Sequence, residues 1–491
     1  MGGVVPIHIS ALSLVFPHFP KILIKLKEGN KMKKLIAMLL ALIMVLSLAA
    51  CGASTPAPTE APKAEEPKVE APKAEEPKAE APAEPIPLTF WYSLGGTSGE
   101  AVQALVERFN ASQDKYVMTA EYQGTYNDSL LKFLSSPDEQ RPDVIMVNEL
   151  GTQKIMDAKA YTPVQNFIDS GDLDISGYLQ NVMNAYMDDN GMFAFPFSIT
   201  VPAITYNVEA LEKAGVNPET DLATFEGFKE ACQKLVDSGV VKYGACIVND
   251  AWHVEQMVAM ASTYLTDNNN GRSGRVTKLT SAEDGSLLKT LNVLRDFYIQ
   301  DYSYTEANNG DARAEFCAGN VGMIITTAGN YGTMKDTAAG LFTLGQTTMP
   351  AYDGANNVPY PSGAALWIVD RGADEKEAGV VEFVKFFATP EQQANFALAT
   401  GYLPINEAVM ENPEYKNFVE NVNPGLQKVI AQLRAADRRA AIFGVDDKFR
   451  STLQSEISTM RSDHSYTAEQ ALKVIADTTN EEIELYNLTV E

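Results

Sequence analysis

The stretch Met192–Gly215, MFAFPFSITVPAITYNVEALEKAG, decides how this chain is organised. Phe193, Phe195 and Phe197 alternate at strand period. Pro196 and Pro202 each remove a backbone donor and fix φ, which takes the ribbon out of the middle of a regular sheet. Asn207 is placed to cap a helix over Val208–Ala214, with Glu209 in its first turn and Gly215 as its stop. A mostly apolar ribbon that turns from strand to helix suits a chain leaving one lobe for another. An ordinary buried strand–turn–helix fits the same pattern.

The 491 residues leave room for two or three domains, and a hydrophobic content of 45% supplies a large core. Residues 1–50 hold six lysines and one glutamate, so the remainder carries 33 basic and 63 acidic side chains, net −30. That balance argues against nucleic acid or an anionic membrane surface as the main partner. Of the four histidines only His253 and His464 lie beyond the N-terminal segment, too few for a histidine-rich metal site, and no cofactor is expected. Cys232 falls on the apolar stripe Phe225, Phe228, Cys232, Leu235, Val236, as a buried thiol would. A Cys232–Cys246 or Cys246–Cys317 disulfide is open, and sequence does not choose.

A secretion signal begins at Met32: Lys33 and Lys34 are its charged part and Leu35–Leu46 its apolar part, too short for a comfortable membrane span. Leu48-Ala49-Ala50-Cys51 follows. It resembles the bacterial lipobox, which implies that Cys51 receives lipid and becomes the first mature residue. Residues 1–31 are expected to be a non-native upstream extension, because Lys27-Glu28-Gly29 can be encoded by a ribosome-binding sequence just before Met32. Residues 32–50 are then the signal peptide. From residue 51 to 87 the chain is low in complexity: APKAEEPKVE (Ala61–Glu70) recurs as APKAEEPKAE (Ala71–Glu80). Pro, Lys, Glu and Ala build no core, so this is a stiffened, disordered tether.

The globular part is expected from Leu88. LTFWY, Tyr116–Tyr122 and Asp143–Val147 read as strands, with helices over Glu100–Phe109 and through Leu130–Leu134. Alternating strands and helices indicate an α/β lobe with a largely parallel sheet. Ligands sit beyond the carboxyl ends of such strands, here Tyr92–Gly96, Gly124–Tyr126 and Asn148–Glu149. Further on, Thr224 opens a helix to Val236, and Asp267–Gly271 is a loop. Val321–Asn330 is a buried strand ending in a turn, and Pro359–Val369 becomes a strand. Ala378–Phe387 and Pro390–Thr400 are helices, and Asn423–Asn487 is helical with a break at Phe443-Gly444.

The blocks AITYNVEALEKAGV, FCAGNVGMIITTAGN, SGAALWIV and FVKFFATPEQQANFALATGYLP, with the lipobox, resemble in order and spacing the family 1 extracellular solute-binding proteins of ABC importers. The resemblance spans Leu88 to Tyr486 and implies a two-lobed α/β, periplasmic-binding-protein-like fold of type II, with a hinge and a ligand cleft between the lobes. Lobe 1 would be residues 88–199 and 345–401, and lobe 2 residues 204–344 and 402–491. The implied partners are a small polar solute, an ABC permease with a cytoplasmic ATPase, and the membrane through the N-terminal lipid. The implied location is the extracytoplasmic face of the cell membrane, as a monomer and not an enzyme.

Within the family, the subgroup binding glycerol-3-phosphate and its diesters is the most similar. QGTY implies Tyr126 as a ligand residue, VNELGT Glu149, SGAALW Gly363, GYLP Tyr402 and DKFRSTLQSEI Arg450. Thr326 and Thr327 stand where that subgroup has small hydroxyl residues, Trp252 where it has an aromatic wall, and Thr200 where it has a serine. A second tryptophan expected near Trp252 is missing. Independently, an arginine offers a bidentate pair to phosphate, and a glycine permits close backbone approach to an anion. Arg450 is equally placed for an i,i+4 pair with Asp446, and Trp252 for a core position. Trp367, inside ALWIV, reads as core. The alternative ligand is a neutral oligosaccharide, with Arg450 then paired to a protein acid. A glycoside hydrolase needs two opposed carboxylates, and no motif singles out a pair. A surface adhesin is the remaining alternative.

Overall fold

The computed structural model describes residues 84–490 apart from 262–263, 306–307, 353–357 and 373. Cys51, the signal peptide, the upstream extension and most of the tether lie outside the described residues.

The first strands are β1 (Ile86–Tyr92), β2 (Tyr116–Tyr122), β3 (Val144–Asn148) and the short β4 (Tyr161–Thr162), followed by a hairpin of β5 (Met187–Asp188) and β6 (Gly191–Met192) and by β7 (Phe195–Thr200). The chain then changes sheets. β8 (Pro202–Asn207), β9 (Tyr243–Ile247), β10 (Ser303–Tyr304), β11 (Val321–Thr327) and β12 (Leu344–Thr348) form a second sheet, ordered β10-β9-β11-β8-β12. β13 (Ser362–Val369) returns to the first, ordered β2-β1-β3-β13-β4, where β7 also pairs with β13. Both sheets are mixed, not largely parallel: β1 runs parallel to β2 and β3, but β13 runs antiparallel to β3, β4 and β7. In the second sheet β8 is antiparallel to both its neighbours.

Each sheet carries its own core. Phe197 in the first packs against Phe387 and Phe396, with ring centroids 4.6 and 5.1 Å apart. Trp367 is buried and stacks on Phe193 at 5.2 Å. In the second, Phe228, Cys232 and Leu235 line one helix face against Phe297 and Met323. Cys232 and Cys317 are buried free thiols, so neither open disulfide forms. Asn207 caps the helix Val208–Ala214 by accepting from Ala210 N, and Gly215 ends it at φ 66°.

Several boundaries move. β1 begins at Ile86, inside the expected tether. The helix after β1 spans Gly96–Ser112, longer at both ends than the expected Glu100–Phe109, with Gly95 as its cap residue. Asp267–Gly271 is a left-handed turn through Asn268, Asn269 and Asn270. β12 belongs to the second sheet, so the return crossing lies between Thr348 and Ser362 and not at 345. Residues after 402 do not enter lobe 2 directly: Ile405, Val409, Tyr415, Leu433 and Ile442 join the first core, and the second takes Ala441 and then the chain from Phe443 onward. An apolar helical stripe fixes that a face is buried, but not against which sheet.

Gly363 shows how tightly the crossings are set. Its φ is +124°, and a Cβ there would lie 1.9 Å from the carbonyl oxygen of Ser198. Gly363→Ala should therefore cost roughly 2–4 kcal/mol of stability. A urea unfolding midpoint equal to that of the parent protein would contradict this.

Candidate functional site

The site is built where the two sheets meet. Thr200 ends β7 and Thr327 ends β11, and their hydroxyls lie 2.6 Å apart. Both accept from Gly329 N, at 3.2 and 3.3 Å. Thr326 is fully buried and accepts from Asn330 Nδ2 at 2.9 Å, so its hydroxyl has a structural partner. The ring of Tyr402 lies over Gly329, where a Cβ would meet it at 2.6 Å. Tyr126 is the first residue of a helix, Tyr126–Ser135, opened by a capping box between Thr125 and Asp128. Its phenol shares hydrogen bonds with Tyr402 and Ser198, and burial pushes both phenols up, Tyr402 to about 12.

Glu149 directly follows β3, is 9% exposed, and accepts from Gly363 N at 3.2 Å. Burial pushes its carboxyl up to about 7, opposed by the charge of Arg450 and by the backbone donors. The carbonyl of Gly363 in turn accepts from Tyr186 Oη at 3.1 Å.

Arg450 lies in the second turn of the helix Asp446–Ser462, its side chain only 15% exposed. Its Nη2 is 2.8 Å from Glu255 Oε1 and its Nε 3.0 Å from Asp446 Oδ2. Nη1 is farther from a carboxylate, 3.7 Å from Asp250 Oδ1. The second oxygen of Glu255 accepts from Tyr360 Oη at 3.1 Å. Burial raises Glu255 to about 8 and raises Asp446, against the pull of Arg450. Burial works against the guanidinium too, but Asp446, Glu255 and Asp250 together outweigh it and hold Arg450 charged.

Trp252 sits one turn before Glu255 on the helix Ala251–Met260, which Asp250 caps. Its Nε1 donates to Ser362 Oγ of the other sheet at 3.1 Å, so it bridges the lobes and is not a core residue. His253, buried beside it, is driven down to about 4, mainly by burial.

The structure thus brings Tyr126, Glu149, Thr200, Thr327, Gly363, Tyr402, Trp252 and Arg450 to one inter-lobe region, with Thr326 turned into the scaffold. Sequence reasoning missed Ser198, Glu255 and Tyr360. The Asp446 pair was legible from its i,i+4 spacing. Glu255 gave no signal except its place one turn after Trp252. Hydroxyls, carboxylates and one guanidinium, with an aromatic wall, are a set that can hold a polyhydroxylated solute through several directional bonds.

A family model for bacterial extracellular solute-binding proteins matches residues 104–423. The chain is 30% identical, over 366 residues covering 70% of it and 80% of the relative, to the sn-glycerol-3-phosphate-binding periplasmic protein UgpB of Yersinia pestis bv. Antiqua (strain Antiqua). In structure it is similar to UgpB from Mycobacterium tuberculosis in complex with glycerophosphocholine, with TM-score 0.69 and 18% identity over 82% of this chain and 99% of that one. It is also similar to the cyclic alpha-maltosyl-1,6-maltose binding protein from Arthrobacter globiformis, with TM-score 0.67 and 19% identity over 81% and 99%. At these identities the structures speak for the fold alone: a two-lobed, type II periplasmic-binding-protein-like architecture.

The burial of Glu149 has a consequence for stability. In the unfolded chain its proton leaves near pH 4.5, and in the folded chain near 7. Between those values the folded state binds the extra proton, so this group's contribution to stability falls as pH rises. Glu149→Gln removes that loss. Relative to the parent, the variant should gain on the order of 2–3 kcal/mol of stability between pH 5 and pH 8. The same stability difference at both pH values, by urea unfolding, would contradict the burial argument.

Proposed function

The chain belongs to the bacterial extracellular solute-binding protein family, and on that premise we propose that its cleft captures glycerol-3-phosphate or a glycerophosphodiester for delivery to an ABC importer. The observation that carries the reading is Arg450: a guanidinium held charged, 15% exposed, whose charge reaches Glu149 of the other lobe. Glu149, Tyr126, Tyr402 and Thr327 supply partners for glycerol hydroxyls. The relatives at about this identity are glycerol-3-phosphate-binding proteins by name, which supports the same ligand class. The role is capture and release, not catalysis.

Nε of Arg450 is hydrogen-bonded to Asp446 and Nη2 is ion-paired with Glu255 without a hydrogen bond, so a phosphate would approach Nη1, the nitrogen farthest from a carboxylate. A two-pronged contact requires Glu255 to yield Nη2. The same observation favours a second reading, a neutral oligosaccharide, because Arg450 already has protein acids as partners.

Removing Arg450 should cost ~2–5 kcal/mol of phosphate-ligand binding, with Arg450→Lys recovering only part. Tyr126→Phe or Tyr402→Phe should cost less, about 1 kcal/mol each. Titration calorimetry with glycerol-3-phosphate, glycerol and maltotriose measures these. Equal affinity for glycerol-3-phosphate and glycerol, or normal binding by Arg450→Ala, would put the neutral sugar in front.

We also propose that Cys51 carries the lipid that anchors the protein at the extracytoplasmic face of the membrane, as the Leu-Ala-Ala-Cys sequence supports. Cys51→Ser should release the protein or leave it unprocessed. Membrane fractionation of the Ser variant at normal mature size would refute the anchor.

A further inference from the structure

The carboxylates around Arg450 exceed what one guanidinium can neutralise, and Glu255 is the closest of them to Nη2, at 2.8 Å. From the helix Asp446–Ser462 Glu255 is faced by Asp446 and Arg450, and Asp250, the cap of its own helix, shares Arg450 with it. Glu149, behind β3, and Tyr360, before β13, complete its surroundings. Glu255 is 4% exposed, so little water screens these charges.

We propose that Glu255 sets the charge of the solute the cleft retains: it keeps Arg450 neutralised, so a phosphate is accepted only together with a proton on Glu255, while an uncharged solute carries no such penalty. The inference rests on the reading that Arg450 faces the solute. With Glu255 ionised, an arriving phosphate meets Glu149, Asp250, Glu255 and Asp446 against one guanidinium. Like charges at this range disfavour one another strongly, and one of them must be discharged. Glu255 is suited to that, because burial already raises its proton affinity. Its carboxylate takes one proton from solvent, the ion pair loosens, and Nη2 becomes available to a phosphate oxygen. No other bond changes. Glu255 acts through Arg450 and is a positioning residue, not a direct ligand.

Calorimetry tests this with glycerophosphoglycerol, a phosphodiester whose own charge is constant between pH 6.5 and 8.5, and with glycerol-3-phosphate. With the Glu255 carboxyl near 8 in the free protein, the parent should lose about fourfold in affinity across that range and take up a proton on binding at its upper end, read from buffers of different ionisation enthalpy. Glu255→Gln should change less than about twofold and bind more tightly than the parent at pH 8.5, while Glu255→Asp keeps the slope. Phosphodiester binding by the parent without pH dependence or proton uptake overturns the proposal and leaves the proposed function standing, and this holds even if the Gln variant does not fold. Failure of both phosphate ligands at either pH, with maltotriose bound, overturns the functional reading and the proposal with it.

Discussion

The chain leaves one sheet and joins another within the three residues Thr200–Pro202, and both sheets must keep their backbone groups satisfied there. The carbonyl of Val201 takes Ala328 N at 3.0 Å, and that of Ile199 takes Leu403 N at 2.7 Å. Pro202 opens β8 without needing a donor of its own. The turn after β11 and the Gly-Tyr-Leu-Pro break are thus pinned to the crossing. Those same residues carry Thr327, Gly329 and Tyr402. The hydroxyl-lined part of the cleft is a by-product of how the crossing is closed.

Much of this was legible. Alternating phenylalanines and an Asn…Gly helix frame predicted the crossing, and the cap and stop fell on Asn207 and Gly215, but the prolines did not keep the ribbon out of a sheet: β8, which Pro202 opens, lies between β11 and β12. Strand ends predicted where Tyr126 and Glu149 would sit, because period and turn signals are local. What failed was non-local. The direction of β13 depends on a return from the second sheet that no pattern in SGAALWIV encodes. Residues after 402 carry a helical stripe that fits either core, and the structure gives the first half to one and the second half to the other.

The same division holds inside the site. Asp446 stands four residues before Arg450 on one helix, so their pairing is written in the spacing. Glu255 comes from another helix, far away in sequence, and meets Arg450 only because both helices border the cleft. It is also a residue that burial disfavours, and such a residue persists only with a partner. Its place one turn after Trp252 was the signal available, and it does not name the partner. The net charge outside residues 1–50 does not decide the ligand either, because exposed charges are screened within about 8 Å at physiological salt while the buried cluster is not.

The edges of the cleft are tied by polar contacts of modest worth. Arg275 meets Asp157 at 2.5 Å and Tyr486 donates to the same carboxylate, while Lys154 pairs with Asp447. Arg275 and Asp447 are 38% and 62% exposed, and ion pairs in such settings contribute about 0–1 kcal/mol each. Arg272 is different: it is buried and donates to the carbonyls of Ala185, Asn270 and Ala440, joining the lobes through main chain near the hinge side. Burial lowers it to about 9, which is the cost of a guanidinium without a close carboxylate. Across the middle Trp252 reaches Ser362 of the other sheet, while Arg450 meets carboxylates of its own lobe. A solute biases closure only by its differential contacts there.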